Sequence, residues 1–304
     1  MNSILGIIRI GIDPDMISAG SLVITWHGFF TFIAVATAVL LVAWRANKEG
    51  ISTDAVFSVA VWAILGGVVG ARLLHVIDFW DQVYRHDVIS VLYVQQGGIA
   101  VLGAVLGGTL SGAIYVTIRN RDGFISFWNK WFPRLGRLGK IDLPSVGRLA
   151  DIVAPFLVLG MAIGRIGDII NGEHFARATS LPWGFVYSHI DTLGTRVPSH
   201  PAVVYEMIWD ILVLGVVWGF RNRLRPNGMV FTLFLGLYSL GRFFISFLRE
   251  DRIWMVGLDE AQIVTLIAMV VTMTILISKA QLVRPSLRTP TPAPAPVPEV
   301  TEES

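Results

Sequence analysis

Seven long apolar segments constrain this chain more than any other feature of its sequence. Each is close to the length of about 20 residues that an α-helix needs to cross the hydrocarbon core of a bilayer. They lie at roughly 22–44, 55–77, 90–118, 149–169, 202–220, 228–248 and 259–279. Because a single segment in lipid must satisfy its own backbone hydrogen bonds, it must be helical. The sequence therefore predicts an all-α polytopic membrane protein with about seven transmembrane helices.

Composition agrees with this class and excludes several functions. Of 304 residues, 54% are apolar and 15% are charged, whereas soluble domains carry about 25% charged residues. The net charge of +2 is too small to suggest nucleic acid as a partner. Cysteine is absent, which excludes disulfides, thiolate metal sites and a cysteine nucleophile within the chain. A transferred thiol would have to come from a substrate.

Lysine and arginine are concentrated in alternate loops between the apolar segments. They follow the first, third, fifth and seventh segments, for example at Arg45, Arg121 and Arg223. Because such residues mark cytoplasmic loops, the pattern predicts an outside N-terminus and a cytoplasmic C-terminus. Asp13 and Asp15 interrupt the first apolar run too early for a cleavable signal peptide, so we expect the first segment to be retained.

Three further regions give expectations about organisation. Glycines at 66–71 of the second segment predict a close contact between helices, and those of the third indicate either such a contact or a broken or re-entrant helix. The third loop carries Phe124, Trp128 and Trp131 among basic residues, which is typical of a helix at an anionic membrane surface. We divide the chain into a transmembrane domain at 1–284 and a proline-rich cytoplasmic tail at 285–304, which we expect to be disordered.

The stretch 164–173 carries the densest group of polar residues at the end of an apolar segment. In a helix Arg165 and Asp168 lie on one face, and Asn171 and Glu173 follow them, spaced by glycines that include Gly167. Charges at membrane depth are costly and usually face a cavity or a substrate path. The alternative is a helix end with snorkelling charges and glycine caps. We favour a functional site at the outer end of the fourth segment.

Three arginines are predicted to lie at the outer depth of the membrane: Arg72, Arg165 and Arg242. A guanidinium group donates two parallel hydrogen bonds, which suits a phosphate group. We therefore expect these arginines to bind an anionic lipid headgroup. In the alternative, each pairs with an interior carboxylate such as Asp78, Glu206 or Asp210.

The histidines do not form a recognisable metal motif. HExxH is absent, so we predict no metal site. His27, near the outer end of the first segment, is a candidate general base, although a Trp-His pair there also suits an aromatic belt at the interface. GxSxG is absent and Ser199-His200 lacks a nucleophile elbow, which disfavours serine hydrolysis.

The order and spacing of several motifs resemble the prolipoprotein diacylglyceryl transferase family. Residues 164–177 are similar to its signature, and five shorter blocks are similar to other conserved parts: Trp26-His27-Gly28, Gly97-Gly98-Ile99-Ala100, Leu181-Pro182-Trp183-Gly184, His200-Pro201 with Tyr205-Glu206, and Gly241-Arg242-Phe243 with Phe247-Leu248-Arg249-Glu250-Asp251. The resemblance implies transfer of diacylglycerol from phosphatidylglycerol to a lipobox cysteine of a prolipoprotein in the bacterial cell membrane. It implies no cofactor and no metal.

The same resemblance implies roles for individual residues. Arg165 would bind phosphatidylglycerol, Arg242 matches a second critical arginine, and Glu173 and Asn171 occupy signature positions. We assign catalysis to Arg165, Arg242, Glu173 and His27. Substrate binding is assigned to a second set that also contains Arg165: Asn171, Arg72, Asp168, Gly167 and His200.

The chain departs from the usual family pattern at five positions: His27, Leu102, Asp168, Ala176 and Ser246. The family commonly has tyrosine at the first, histidine or tyrosine at the second and asparagine at the third. Leu102 cannot move a proton, so our hypothesis is that His27 or Glu173 helps deprotonate the thiol.

The five departures leave open a catalytically silent homologue that binds lipid. An unrelated lipid or solute transporter is a weaker alternative, because polar residues crowd the outer half of the predicted helices.

Overall fold

A computed structural model describes residues 7–20, 22–93, 100–139, 141, 143–173 and 175–283. The predicted tail at 285–304, the Gly97–Ile99 part of the glycine block and His174 lie outside these residues. The side chain of Leu102 is likewise not described, although its backbone belongs to a helix.

The structure confirms the predicted polytopic helical class. Among the described residues, six helices are long and apolar enough to cross a membrane: α1 (Trp26–Asn47), α2 (Thr53–Asp78), α5 (Val146–Asn171), α6 (Ala202–Phe220), α7 (Met229–Ser246) and α8 (Glu260–Lys279). The third predicted segment, at 90–118, corresponds to α3 (Val101–Arg119), which is shorter than predicted. The loop that follows it contains α4 (Asp122–Trp131).

The third helix begins about ten residues later than predicted. Residues Val88–Leu92 form a 3-10 turn instead of the start of a transmembrane helix. Arg72 on α2 contacts this turn, and its guanidinium donates hydrogen bonds to the carbonyl oxygens of Ser90 and Val91 at 2.5 and 2.9 Å. These hydrogen bonds attach the turn to α2.

The strands are short and were not predicted from the sequence. At the end of the bundle where α1 begins, β1 (Ile8–Ile10) pairs in parallel with β4 (Phe185–Tyr187), and β2 (Asp15–Ala19) forms an antiparallel hairpin with β3 (Leu22–Thr25). Two smaller pairs complete the described strands, β6 (Ile253–Met255) with β7 (Leu258–Asp259) and β5 (Leu224–Arg225) with β8 (Gln281–Leu282).

The helices pack as a bundle centred on α5. Helix α5 contacts α1, α6 and α7, and α8 packs on α7. A buried apolar cluster fills the space between α5, α6 and α7: Ala154, Val158, Val213, Val217, Val230 and Phe234. Asp151, near the start of α5, accepts hydrogen bonds from the backbone nitrogens of Gly228, Val230 and Phe231 and so caps the start of α7.

Helices α2 and α3 make the close contact that their glycines predict. A side chain added at Gly107 would meet the backbone of Gly66 and lie 2.8 Å from the Cα of Gly70, and one added at Gly103 would lie 2.8 Å from Leu74 Cβ. Without a hydrophobic driving force in lipid, such backbone proximity supplies the dispersion contacts that hold helices together.

Replacing Gly107 with alanine should therefore destabilise the protein. Since the new methyl group meets backbone atoms that cannot rotate away, we expect a loss of about 1–3 kcal/mol, measured as a lower unfolding temperature of purified protein in detergent. Gly112→Ala is the matched control on the same helix, because its added carbon would lie 3.6 Å from Ala63 Cβ, an ordinary contact. Equal stability of the two variants would contradict the packing argument.

Candidate active site

A single buried carboxylate, that of Glu206 on α6, binds arginines from two other parts of the chain. Arg165 on α5 approaches one carboxylate oxygen at 2.8 Å, and Arg242 on α7 forms an ion pair with the other. Arg249, just after α7, lies 3.5 Å from that second oxygen. The Glu206 side chain is only 4% exposed. The carboxylate therefore connects α5, α6 and α7 at one end of the bundle.

Two further carboxylates balance the charge of these guanidinium groups. Asp251 accepts two hydrogen bonds from Arg249, at 2.6 and 3.1 Å, and lies 3.7 Å from Arg242. Asp168 accepts a hydrogen bond from Arg165 at 3.0 Å, one helical turn away. Because an unpaired buried charge is strongly destabilising, this pairing of three arginines with three carboxylates is what makes the cluster possible away from water.

The second oxygen of Asp168 faces α1. It lies 2.6 Å from Nδ1 of His27, and the same nitrogen is 3.6 Å from Glu173. Gly167 makes this approach possible, since an added Cβ would lie 2.7 Å from the Cα of His27 and 2.9 Å from the carbonyl oxygen of Trp26. Gly167 therefore lies at a contact between α5 and α1, and this contact brings His27 close to the Asp168 carboxylate.

Glu173 follows the end of α5, where Gly172 adopts a left-handed conformation with φ of +74°. A side chain at Gly172 would lie 2.5 Å from the backbone nitrogen of Gly194, so glycine is needed there for two reasons. Burial raises the pKa of the Glu173 carboxyl, and a hydrogen bond from Asn171 and the proximity of His27 oppose that shift. Asn171 and His27 thus both favour the ionised form of Glu173.

The described residues contain one cluster with the composition of a cation site. Ligand atoms of His27, Asp168 and Glu173 lie within 4.8 Å of one another. Around a tetrahedral zinc ion with bonds of about 2.0–2.1 Å, neighbouring ligand atoms would be about 3.3 Å apart. The 2.6 Å between His27 Nδ1 and Asp168 is instead that of a short direct hydrogen bond. In this arrangement the histidine and the carboxylate therefore bind each other.

A small pocket lies beside Glu173 and is lined by Tyr187, Ser199 and His200, among others. His200 stands just before α6, and its ring centroid is 6.3 Å from that of Tyr205. Its Nδ1 atom is buried without a hydrogen-bond partner among the described residues. The structure thus positions His200 next to the cluster rather than within it.

The guanidinium group of Arg72 makes different contacts from those of the other two predicted arginines. Its guanidinium binds the loop carbonyls described above and lies 5.2 Å from the ring of Tyr84. Arg165 and Arg242, in contrast, meet on Glu206. The structure therefore brings together Arg165 and Arg242 but not Arg72. It pairs the first two with Glu206, one of the interior carboxylates that the sequence offered as the alternative to a lipid headgroup.

Comparisons with known proteins agree with the motifs. The sequence model described as "Prolipoprotein diacylglyceryl transferase" matches residues 14–133 and 138–278. The chain belongs to the prolipoprotein diacylglyceryl transferase family. It is 33% identical to a protein of Trichormus variabilis over 264 residues, 83% of this chain and 84% of that protein. It is 33% identical to a protein of Clostridioides difficile over 247 residues, covering 81% and 87%. Both are named phosphatidylglycerol–prolipoprotein diacylglyceryl transferase.

Four of the five departures from the usual pattern of this family lie in or beside this network. His27 and Asp168 contact each other. Ala176 is buried and forms an antiparallel bridge with Arg249. The hydroxyl group of Ser246 donates a hydrogen bond to the carbonyl oxygen of Arg242, one turn earlier in α7. Each of these side chains is therefore accommodated without leaving an unpaired charge.

Sequence reasoning assigned no role to Arg249 or Asp251, and it named Glu206 only as an alternative partner of the arginines. The family blocks Tyr205-Glu206 and Phe247–Asp251 contained the signal, because both put charged residues beside long apolar segments. Asp210, one turn below Glu206 on α6, is 1% exposed, and its Oδ2 atom has no hydrogen-bond partner among the described residues.

Glu206→Gln should destabilise the protein strongly, because it leaves Arg165 and Arg242 buried without their shared counter-charge. We expect a loss of about 3 kcal/mol or more, measured as a lower midpoint of thermal unfolding in detergent. Glu250→Gln is the control, since Glu250 is exposed in the same segment as Arg249 and a surface change is usually within about 0.5 kcal/mol. A glutamine variant as stable as the control would show that Glu206 does not hold the arginines.

Proposed function

We propose that this protein transfers the diacylglyceryl group of phosphatidylglycerol to the thiol group of the lipobox cysteine of a prolipoprotein. Family membership supports the reaction, and the names of the relatives in T. variabilis and C. difficile contain both substrates. The product is a thioether, and glycerol phosphate leaves. The absence of cysteine from the chain fits a reaction in which the sulfur atom belongs to the substrate.

The observation that carries the proposal is the pair of guanidinium groups on Glu206. Carboxylate and phosphate present similar oxygen pairs to arginine, so a lipid phosphate can compete for N–H groups that Glu206 and Asp168 occupy here. As the bond between carbon and the phosphate oxygen breaks, negative charge grows on the leaving group. Arginines held at fixed positions in a dry site stabilise that charge more effectively than water does.

The side chains next to Arg165 suit the thiol partner. His27 and Glu173 are 31% and 24% exposed, whereas the Arg165 side chain is 8% exposed. Lipid phosphate would thus bind deeper, and the incoming thiol would approach from the His27 side. We propose supporting roles for Asn171, which is buried at the end of α5 just before Glu173, and for Gly167, at the contact of α5 with α1.

The basic residues support an extracytoplasmic site. Arg45 and Arg148 form ion pairs with Glu49 beyond the end of α1 that is opposite His27. Arg119 lies at the corresponding end of α3. Because lysine and arginine mark the cytoplasmic side, the Glu206 cluster would face outward, where exported prolipoproteins arrive. We accordingly propose a multi-pass protein of the bacterial plasma membrane with an outside N-terminus.

The direct test is to incubate the purified protein with phosphatidylglycerol and a lipobox peptide, and to measure the peptide mass. We expect the mass of the peptide to increase by one diacylglyceryl group. A wild-type protein that binds the lipid without modifying the peptide would refute the transferase and identify the silent homologue.

Arg165→Lys should lower the rate of transfer by about 100-fold or more, because a single ammonium group cannot reproduce paired N–H donors in the transition state. The rate is measured by the same mass assay at saturating lipid. Arg85→Lys is the control, since Arg85 is 69% exposed and pairs only loosely with Asp81 at 3.8 Å. Full activity of the Arg165→Lys variant would contradict two-point binding of the phosphate.

A further inference from the structure

His27 has the geometry of a histidine prepared to accept a proton. Its Nδ1 atom is 2.6 Å from the Asp168 carboxylate, and its ring is 31% exposed. No hydrogen bond to its Nε2 atom occurs within the described part of the chain. A carboxylate on Nδ1 stabilises the tautomer that carries its hydrogen there, so the lone pair lies on Nε2.

The backbone around His27 holds the ring in one place. Thr25 caps α1 through a hydrogen bond from the backbone nitrogen of Gly28, at 3.1 Å, so the histidine sits in the first turn of a defined helix. The Gly167 contact brings that turn against α5. The ring is therefore positioned by packing as well as by Asp168.

We infer that His27 and Asp168 form the proton-accepting dyad of this enzyme, with His27 Nε2 as the base for the substrate thiol and Asp168 as its positioning residue. The inference rests on the proposed function, which supplies the thiol. It accounts for two departures from the family pattern at once, because the two unusual side chains contact each other and each needs the other for this role.

The chemical step balances with the groups named. The thiol proton moves to His27 Nε2, and the sulfur atom forms a bond with the glyceryl carbon that carries the phosphate. The bond between that carbon and its phosphate oxygen breaks, and glycerol phosphate departs with the electron pair. The proton on His27 then passes to the departing phosphate or to water, which restores the neutral imidazole.

The charges around His27 favour this direction of transfer. Asp168 and Glu173 both face the ring and stabilise an imidazolium, while Arg165 opposes it from the far side of Asp168. Asp168 has one oxygen on His27 and the other on Arg165. The same carboxylate thus links the group that takes the proton to the arginine proposed to bind the phosphate.

The test compares His27→Gln with His189→Gln in the peptide assay. His189 is the matched control, because it is a partly exposed histidine near two carboxylates, Asp13 and Asp191, and lies outside the network. We expect the turnover of His27→Gln at pH 7 to fall by about 100-fold or more, with the lipid concentration for half-maximal rate unchanged. The control should retain wild-type turnover.

Two readouts separate a lost base from a damaged fold. Without a base, the rate should follow the thiolate fraction of a cysteine with a pKa of about 8.5, so His27→Gln should gain about tenfold per pH unit between pH 6 and 8. A lipobox peptide with selenocysteine in place of cysteine, whose selenol is already ionised at neutral pH, should restore most of the rate of His27→Gln. It should not rescue Arg165→Lys.

The selenocysteine peptide also tests the role of Asp168. Asp168→Asn should lower turnover with the cysteine peptide by about 10–100-fold and lower it much less with the selenocysteine peptide. Asp168→Glu should recover part of the loss. A purely structural role for Asp168 would reduce both rates equally, and that result would overturn its part in the dyad.

The remaining outcomes distinguish this inference from the proposed function. An active wild-type protein whose His27→Gln variant keeps normal turnover and the normal pH profile would overturn the dyad alone. A wild-type protein that fails to modify either peptide would overturn both, because no thiol would then be activated at this site.

Discussion

The structure depends on how the Glu206 carboxylate neutralises the arginines around it. Each buried ion loses several kcal/mol of hydration free energy, so α5, α6 and α7 can share a polar end only where opposite charges meet closely. Arg165 and Arg242 are held on the two oxygens of one side chain, and Arg249 is held by Asp251 as well. Since these groups are fixed before a ligand arrives, a phosphate group would find donors that need little reorganisation.

Asp168 connects this cluster to a second one with different chemistry. Its two oxygens bind Arg165 and His27, so a group suited to anions and a group suited to protons are joined through one carboxylate. A two-substrate reaction needs both kinds of group, the first for the leaving phosphate and the second for the attacking thiol. The departures at His27 and Asp168 meet in one contact, and the proposed base depends on both residues, because neither alone provides a base held in a fixed tautomer.

Glycine has three separate tasks in building this arrangement. In α2 and α3 it allows two backbones to approach in lipid, where close packing replaces the hydrophobic effect as the source of association. At Gly167 it allows α1 to reach α5. At Gly172 it supplies the left-handed turn that sends Glu173 back toward His27. A larger residue at either of the last two positions would separate the side chains that we propose to be catalytic without altering any of them.

Features that depend on local spacing and on hydropathy follow from the order of the residues alone. Apolar length identified the helices, and the spacing of Arg165 and Asp168 placed them on one helical face, where they form an ion pair. The packing of the folded bundle establishes which distant groups meet: His27 and Asp168 are 141 positions apart and Arg242 and Glu206 are 36 apart. It also assigned Arg72 to loop carbonyls, although the sequence placed it at the same depth as Arg165. The physical reason is that hydropathy reports depth in the membrane, whereas the rotation of each helix, set by side-chain packing, decides which charges face one another.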